Sequence, residues 1–266
     1  MVTGREAASH LRYTAQAAPG VAAIDIDRPA ARNALDRMDQ YHFDELLAAA
    51  VADPGVRCLV VAGAGGQALS AGWDIHEMRA LSAEANAELM LEREEWIWRW
   101  HTCPLPTVAA VQGVAYGAGA LLAACADLRV AGPGARFKVT AMSYGYPALS
   151  WILADLLGAS RAKDVLFTGR VVGGQEGADL GLFNRLVPDA EVRAAALALA
   201  AQVAALPAGG VQDAKRLMRE GGGRELRARY DAENALTRGA LAGQTAAELF
   251  AGFGPEKASP PAKPAG

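Results

Sequence analysis

Over its first two thirds the chain alternates short apolar runs with longer amphipathic ones, and the period of each run predicts an element. Residues 21–27 (VAAIDID) repeat with period two, as in a strand with one face buried. From Asp36, the apolar positions Met38, Leu46, Leu47 and Val51 follow helical spacing until Asp53-Pro54-Gly55 predicts a turn. Residues 56–62 are apolar almost throughout, the pattern of a strand buried on both faces. Residues 63–66 predict a loop and 83–101 a charged helix. Residues 107–112 predict another buried strand, running into a glycine-rich turn at 113–119 and a helix over 121–126. Strands interleaved with helices define an α/β class.

From Asp189 the period is helical only, over 190–206, a basic stretch at 212–219, then 225–241 and 245–253. The chain thus divides into a core at 1–188, a helical region at 189–253 and a proline-rich tail at 254–266 for which disorder is expected. A helical appendage of this size packs on a neighbour or on its own domain. Residues 102–126 carry no charge and are long enough to span a bilayer, but Pro104, Pro106, Gln112 and three glycines interrupt them. They read as a buried strand followed by a buried helix.

Composition narrows the function. The 266 residues include 26 basic and 29 acidic ones, a net charge of −3, so no global positive field holds nucleic acid or an anionic membrane. A polyanionic ligand needs a local basic patch. Cys58, Cys103 and Cys125 are odd in number and lack the paired spacing of a metal site or disulfide framework. With a polar N-terminus that has no apolar signal segment, they predict a reducing, cytoplasmic location and no metal.

In two segments a small-residue turn directly precedes a helix: 68–75 (ALSAGWDI) and 112–120 (QGVAYGAGA). Backbone amides at a helix N-terminus point outward with partial positive charge, and two such loops facing one point form an oxyanion hole. Taken singly, each loop also fits close helix–strand packing.

Their order resembles the crotonase (enoyl-CoA hydratase/isomerase) superfamily. Residues 28–35 (RPAARNAL) are similar to its N-terminal segment, 69–75 to its first oxyanion loop, and 112–127 to the second loop and helix. The blocks 166–170 (LFTGR), 178–182 (ADLGL) and 184–188 (NRLVP) follow in the family's order. The resemblance implies a ββα spiral core with a helical C-terminal trimerisation region, assembled as a homotrimer or dimer of trimers. It implies a coenzyme A thioester as substrate, with no permanently bound cofactor. The oxyanion amides fall on Trp73 and Ala118. Coenzyme A falls along Arg28, Ala30, Arg32, Ala34, Ala71 and His76, with Lys215 and Lys257 as further basic candidates; for the arginines a solvated face is the other reading.

One part of the pattern is broken. The two glutamates that a hydratase of this family uses to activate water fall at Leu121 and Ala141, neither of which transfers a proton. Residues 121–126 are wholly apolar and 137–151 contain no Asp or Glu, so no carboxylate nearby in sequence replaces them. Ordinary hydratase activity is therefore expected to be poor. Tyr116, Tyr144 and Tyr146 are candidate acids, or pocket-wall aromatics with satisfied hydroxyls, and Leu121, Ala141, Met142 and Trp151 are expected around the acyl group. Asp74 and Glu77 are weaker candidates, Asp74 more readily a helix cap. Helical spacing sets Trp96 and Trp100 on one face and Trp98 away from it, with His101 as a C-terminal cap. Three chemistries stay open: hydration or isomerisation, another enolate reaction, and binding of acyl-CoA without turnover.

Overall fold

The computed structural model describes residues 9–249 apart from Gly222. The predicted tail at 254–266, Lys257 and the last part of the helix predicted over 245–253 lie outside the described residues.

The first layer begins with β1 (Leu11–Ala18), an antiparallel partner of β2 (Val21–Ile26), and continues through α1 (Arg37–Ala52) to β3 (Cys58–Gly63). The chain then steps into a second sheet at β4 (Ala68–Ser70), followed by α2 (Ile75–Arg79) and α3 (Ala83–Thr102). The same step repeats: β5 (Thr107–Val111) lies in the first sheet, β6 (Val114–Tyr116) in the second, and α4 (Ala118–Cys125) follows. The uncharged stretch at 102–126 resolves into these buried pieces. A third turn places β7 (Leu128–Ala131) in the first sheet and β8 (Arg136–Lys138) in the second. After α5 (Ser150–Leu157) and α6 (Ala159–Thr168), β9 (Val172–Gly173) pairs with β8; then come α7 (Gly174–Leu180) and β10 (Arg185–Leu186). The sheets run β1-β2-β3-β5-β7-β10, parallel beyond β2, and β4-β6-β8-β9. Repeated strand–strand–helix steps between two sheets make this a spiral of ββα units.

Strand period decides where the core goes. On the first sheet Ala22, Ile24, Leu59, Val61 and Val111 face α1, α3 and α4, where Phe43 meets Trp96 and Trp100 edge-on at 5.2 and 5.5 Å. Their neighbours Val21, Ala23, Val60, Val108 and Val130 face α8 (Val192–Ala205), which offers Val192, Ala196, Ala200 and Ala204 at i, i+4 spacing. α8 is thus a layer over the core sheet.

The remaining helices α9 (Ala208–Gly221), α10 (Gly223–Leu241) and α11 (Ala246–Leu249) turn back on the same chain. Lys215 Nζ donates to Asp127 at 2.7 Å and to the Leu105 carbonyl at 2.8 Å, while Thr237 donates to the Pro147 carbonyl at 2.9 Å. Lys215 is therefore engaged within the fold and not offered as a free cation. No single helix among the described residues is long and apolar enough to cross a membrane.

Candidate active site

The segment at 28–35 acts as a strap under the first small-residue loop. Asn33 is fully buried at positive φ; its amide donates to the carbonyls of Ala64 (3.0 Å) and Ala68 (2.7 Å), and its oxygen accepts from Arg28 N at 3.0 Å. Leu35 pairs with Trp73 as a parallel bridge, donating to the Gly72 carbonyl at 2.9 Å and accepting from Asp74 N at 2.7 Å. Asp74 caps α2 by accepting from His76 N and Glu77 N, at 2.8 and 3.3 Å, and its other oxygen accepts from Arg28 Nη1 at 2.7 Å.

The second loop is pressed against the first. A Cβ built on Gly72, at φ +115°, would lie 3.2 Å from the Tyr116 carbonyl and 3.5 Å from Ala118 N. One built on Gly119 would collide with the Ser70 carbonyl at 2.2 Å, so glycine is what lets α4 reach β4. Gly72 N donates to Ser70 Oγ at 3.1 Å and Gly117 N to the Lys138 carbonyl at 3.3 Å. Between them, the amides of Trp73 and Ala118 donate to no described residue. Two free amides therefore flank the contact between the loops, the second at the start of α4, where the helix dipole adds positive character.

A cavity of about 110 Å³ opens beside them, roughly the room a short acyl group needs. One wall is a helical stripe of α3, Met90, Arg93, Glu94 and Ile97; another is a stripe of α10, Tyr230, Asn234 and Thr237. Gly117, Leu121, Ala141 and Trp151 also line the cavity, Trp151 against Tyr230 of α10. The expected wall residues Leu121, Ala141 and Trp151 thus line it, whereas Met142 packs against the core without lining the cavity.

The tyrosines separate. Tyr146 lines the cavity, and burial pushes its pKa up to about 12 against the opposing charge of Arg93, which suits a donor and not a base. Tyr144 is half-buried and also raised by burial, but it is not part of the lining. Tyr116 accepts from Arg136 Nε at 3.3 Å and lies outside the lining. Of the basic candidates, Arg28 is paired with Asp74, while Arg32 and His76 are exposed beside the loops, as is Ala30; Ala34 and Ala71 are half-buried.

Two expectations change. His101 caps nothing: α3 runs on to Thr102, and the imidazole lies between Trp98 (5.9 Å) and Trp151 (5.0 Å), its pKa lowered to about 4 by burial despite a bond to the Cys125 backbone. Nor is the wall free of carboxylates, because Glu94 reaches it from a helix distant in sequence from Leu121 and Ala141. One Glu94 oxygen pairs with Arg238; the other, Oε1, is buried without a partner among the described residues, and burial raises the carboxyl's pKa against the pull of Arg238. Arg93 and Glu94 were visible in the sequence as charges set into the apolar stripe Met90, Ile97 at helical spacing.

A fold of this kind, with two free amides beside an acyl-sized cavity, defines the crotonase class. The enoyl-CoA hydratase/isomerase family pattern matches residues 16–253, and the chain belongs to that family. It is 37% identical over 217 residues to a candidate enoyl-CoA hydratase of Thermus thermophilus, covering 74% of this chain and 85% of that one. It is 32% identical over 191 residues to the hydroxycinnamoyl-CoA hydratase-lyase of Pseudomonas fluorescens, covering 68% of each. The crystal structure of an enoyl-CoA hydratase/isomerase from Xanthobacter autotrophicus superposes with a TM-score of 0.79 at 28% identity, covering 93% of this chain and 92% of that one.

Proposed function

We propose that the protein is an enzyme that binds an acyl-CoA thioester with its carbonyl oxygen on the amides of Trp73 and Ala118 and stabilises the enolate formed when a proton leaves the acyl chain. The observation that carries this reading is the pair of unpartnered amides on two loops in contact at Gly72. Donors fixed before the reaction stabilise charge that develops on the oxygen without reorganising. In this proposal Arg32, His76 and the strap backbone at Ala30, Ala34 and Ala71 meet the coenzyme A moiety, with Arg28 acting through Asp74.

The proton step falls to Glu94. Its carboxylate takes a proton from the α-carbon, the electron pair rests on the thioester oxygen, and the protonated carboxyl returns that proton to the α-carbon or, where the acyl chain carries a β,γ double bond, to the γ-carbon, with Tyr146 as a candidate hydrogen-bond donor to the acyl group. Hydration needs two groups to hold and split water, and Leu121 and Ala141 leave that part of the wall apolar. The apolar wall favours isomerisation or another enolate reaction over hydration of an unsubstituted enoyl thioester. Assembly as a homotrimer or dimer of trimers through residues 189–253, and a cytoplasmic location, belong to the same proposal.

Enolate formation alone is enough to exchange the α-protons of a saturated acyl-CoA in deuterium oxide, which mass spectrometry detects. Exchange well above the uncatalysed rate is expected, together with slow hydration of crotonyl-CoA. Tight binding of several thioesters without exchange in any would leave a non-catalytic acyl-CoA-binding protein instead.

A further inference from the structure

The cavity wall holds a cation that the fold leaves unsatisfied. Arg93 is 4% exposed, and of its guanidinium nitrogens only Nη1 has a partner, the weak acceptor Met78 Sδ at 3.2 Å. Nε and Nη2 are buried with no hydrogen-bond partner among the described residues. The group lies 3.9 Å above the ring of Trp73, whose π face offsets part of the cost of burying the charge. Burial draws its pKa down to about 9, so it remains a cation near neutrality.

No carboxylate among the described residues pairs with it. Glu77 accepts from Arg37 N at 3.1 and 3.2 Å, and Glu92 is held by Arg37 and Tyr41. Both raise the basicity of Arg93 at range, but neither forms an ion pair with it among the described residues. Buried charges are ordinarily paired, and a buried donor without an acceptor is a costly exception. Nε–H and Nη2–H lie along one edge of a guanidinium, side by side, at the spacing of the two oxygens of a carboxylate. The partner that fits such an edge is a planar anion, and Arg93 lines an otherwise largely apolar cavity.

We propose that the acyl group taken by this pocket carries its own carboxylate, held side-on by Nε and Nη2 of Arg93. The substrate class is then the coenzyme A monothioester of a short dicarboxylic acid. This rests on the acyl-CoA reading above. Arg93 sets specificity: it holds one end of the acyl group while the amides of Trp73 and Ala118 hold the thioester. The short reach from the Trp73 ring to its backbone keeps both anchors in one small cavity, which favours acyl chains of few carbons.

The test compares two saturated thioesters of similar length, glutaryl-CoA and hexanoyl-CoA, with free coenzyme A as reference, by calorimetry on the full chain. Wild type is expected to bind glutaryl-CoA about 10- to 100-fold more tightly, the worth of a charge-assisted pair of hydrogen bonds. Arg93→Met is expected to reduce that ratio to within about twofold and to keep its affinity for hexanoyl-CoA, since removing an unpaired buried charge does not harm the apolar wall. Arg93→Lys is expected to keep only part of the preference, lacking the planar fork. Equal affinity of wild type for the two thioesters overturns the inference even if no variant folds. So does an Arg93→Met protein that loses both thioesters alike, because the arginine is then structural. If wild type binds hexanoyl-CoA no better than coenzyme A, and glutaryl-CoA no better either, the acyl-CoA reading itself falls.

Discussion

Asp74 joins two parts of the site through one carboxylate: Oδ2 accepts from Arg28 at 2.7 Å, and Oδ1 accepts from the first amides of α2. The N-terminal strap and the loop bearing Trp73 are therefore fixed to each other immediately beside one of the two free amides. Burial raises the Asp74 carboxyl, but the bonds from Arg28, Glu77 N and His76 N outweigh it and hold the group below its ordinary range.

Removing that carboxylate separates the two roles. Asp74→Ala loses the helix cap and leaves Arg28 unpaired, and is expected to cost about 1–2 kcal/mol. Arg28→Ala keeps the cap and is expected to cost less. Urea denaturation of both variants checks the order, and a larger loss in Arg28→Ala would place the main role in the ion pair.

Ala118 stands at the first position of α4, where proline is tolerated because its missing N–H would have no helical partner. Ala118→Pro therefore deletes one of the two amides proposed to hold the thioester oxygen, with little change to the helix. Turnover is expected to fall by about 10²–10³, the usual cost of one oxyanion donor. An unaltered circular dichroism spectrum with unaltered α-proton exchange would exclude Ala118 from the hole.

The base role proposed for Glu94 requires its ionised form, and burial raises its pKa above the ordinary carboxylate range. Exchange is therefore expected to climb with pH through a midpoint above the usual value of about 4.3. Glu94→Gln is expected to remove that limb and most of the rate. A Gln variant with the wild-type pH profile assigns the proton step elsewhere.

His101, which packs behind the wall residue Trp151, provides a stability readout. In the folded protein burial lowers its pKa from 6.5 to about 4, so the unfolded chain takes up a proton first as pH falls. The stability tied to neutral His101 is complete above pH 6.5 and is lost progressively as pH drops toward 4. Comparing Tm against pH for wild type and His101→Phe isolates this effect: the variant is expected to show a shallower decline over that interval.

What could be read from sequence divides along the same physical line. Buried strands with a nearly continuous apolar run, such as Cys58–Gly63, and helices with a strong cap, such as the one opened by Asp36, declare themselves locally. β1 does not, because it is an edge strand whose outward positions are polar or small, so the residues 11–18 carry no clear alternation. The loops at Gly72 and Gly117 are legible as glycine turns, but their mutual contact is a product of the spiral. Glu94 and Arg93 belong to a helix that precedes the second loop, and only folding brings them opposite Leu121 and Ala141. The C-terminal wall of Tyr230, Asn234 and Thr237 lies farther still along the chain.

The two amides sit on loops that touch, backed by Asn33 and Gly119, and leave little freedom to move one without the other. The facing wall is made of side chains on α3 and α10 spaced a turn apart, and of these Tyr230 and Thr237 also bond to backbone carbonyls, of Glu94 and Pro147. The part proposed to stabilise charge and the part proposed to select the acyl group therefore lie on different elements. On the proposed reading, a single substitution at position 93 or 94 redirects the chemistry or the choice of substrate while the amides of Trp73 and Ala118 stay where they are, which makes this architecture one in which new specificities are close neighbours of old ones.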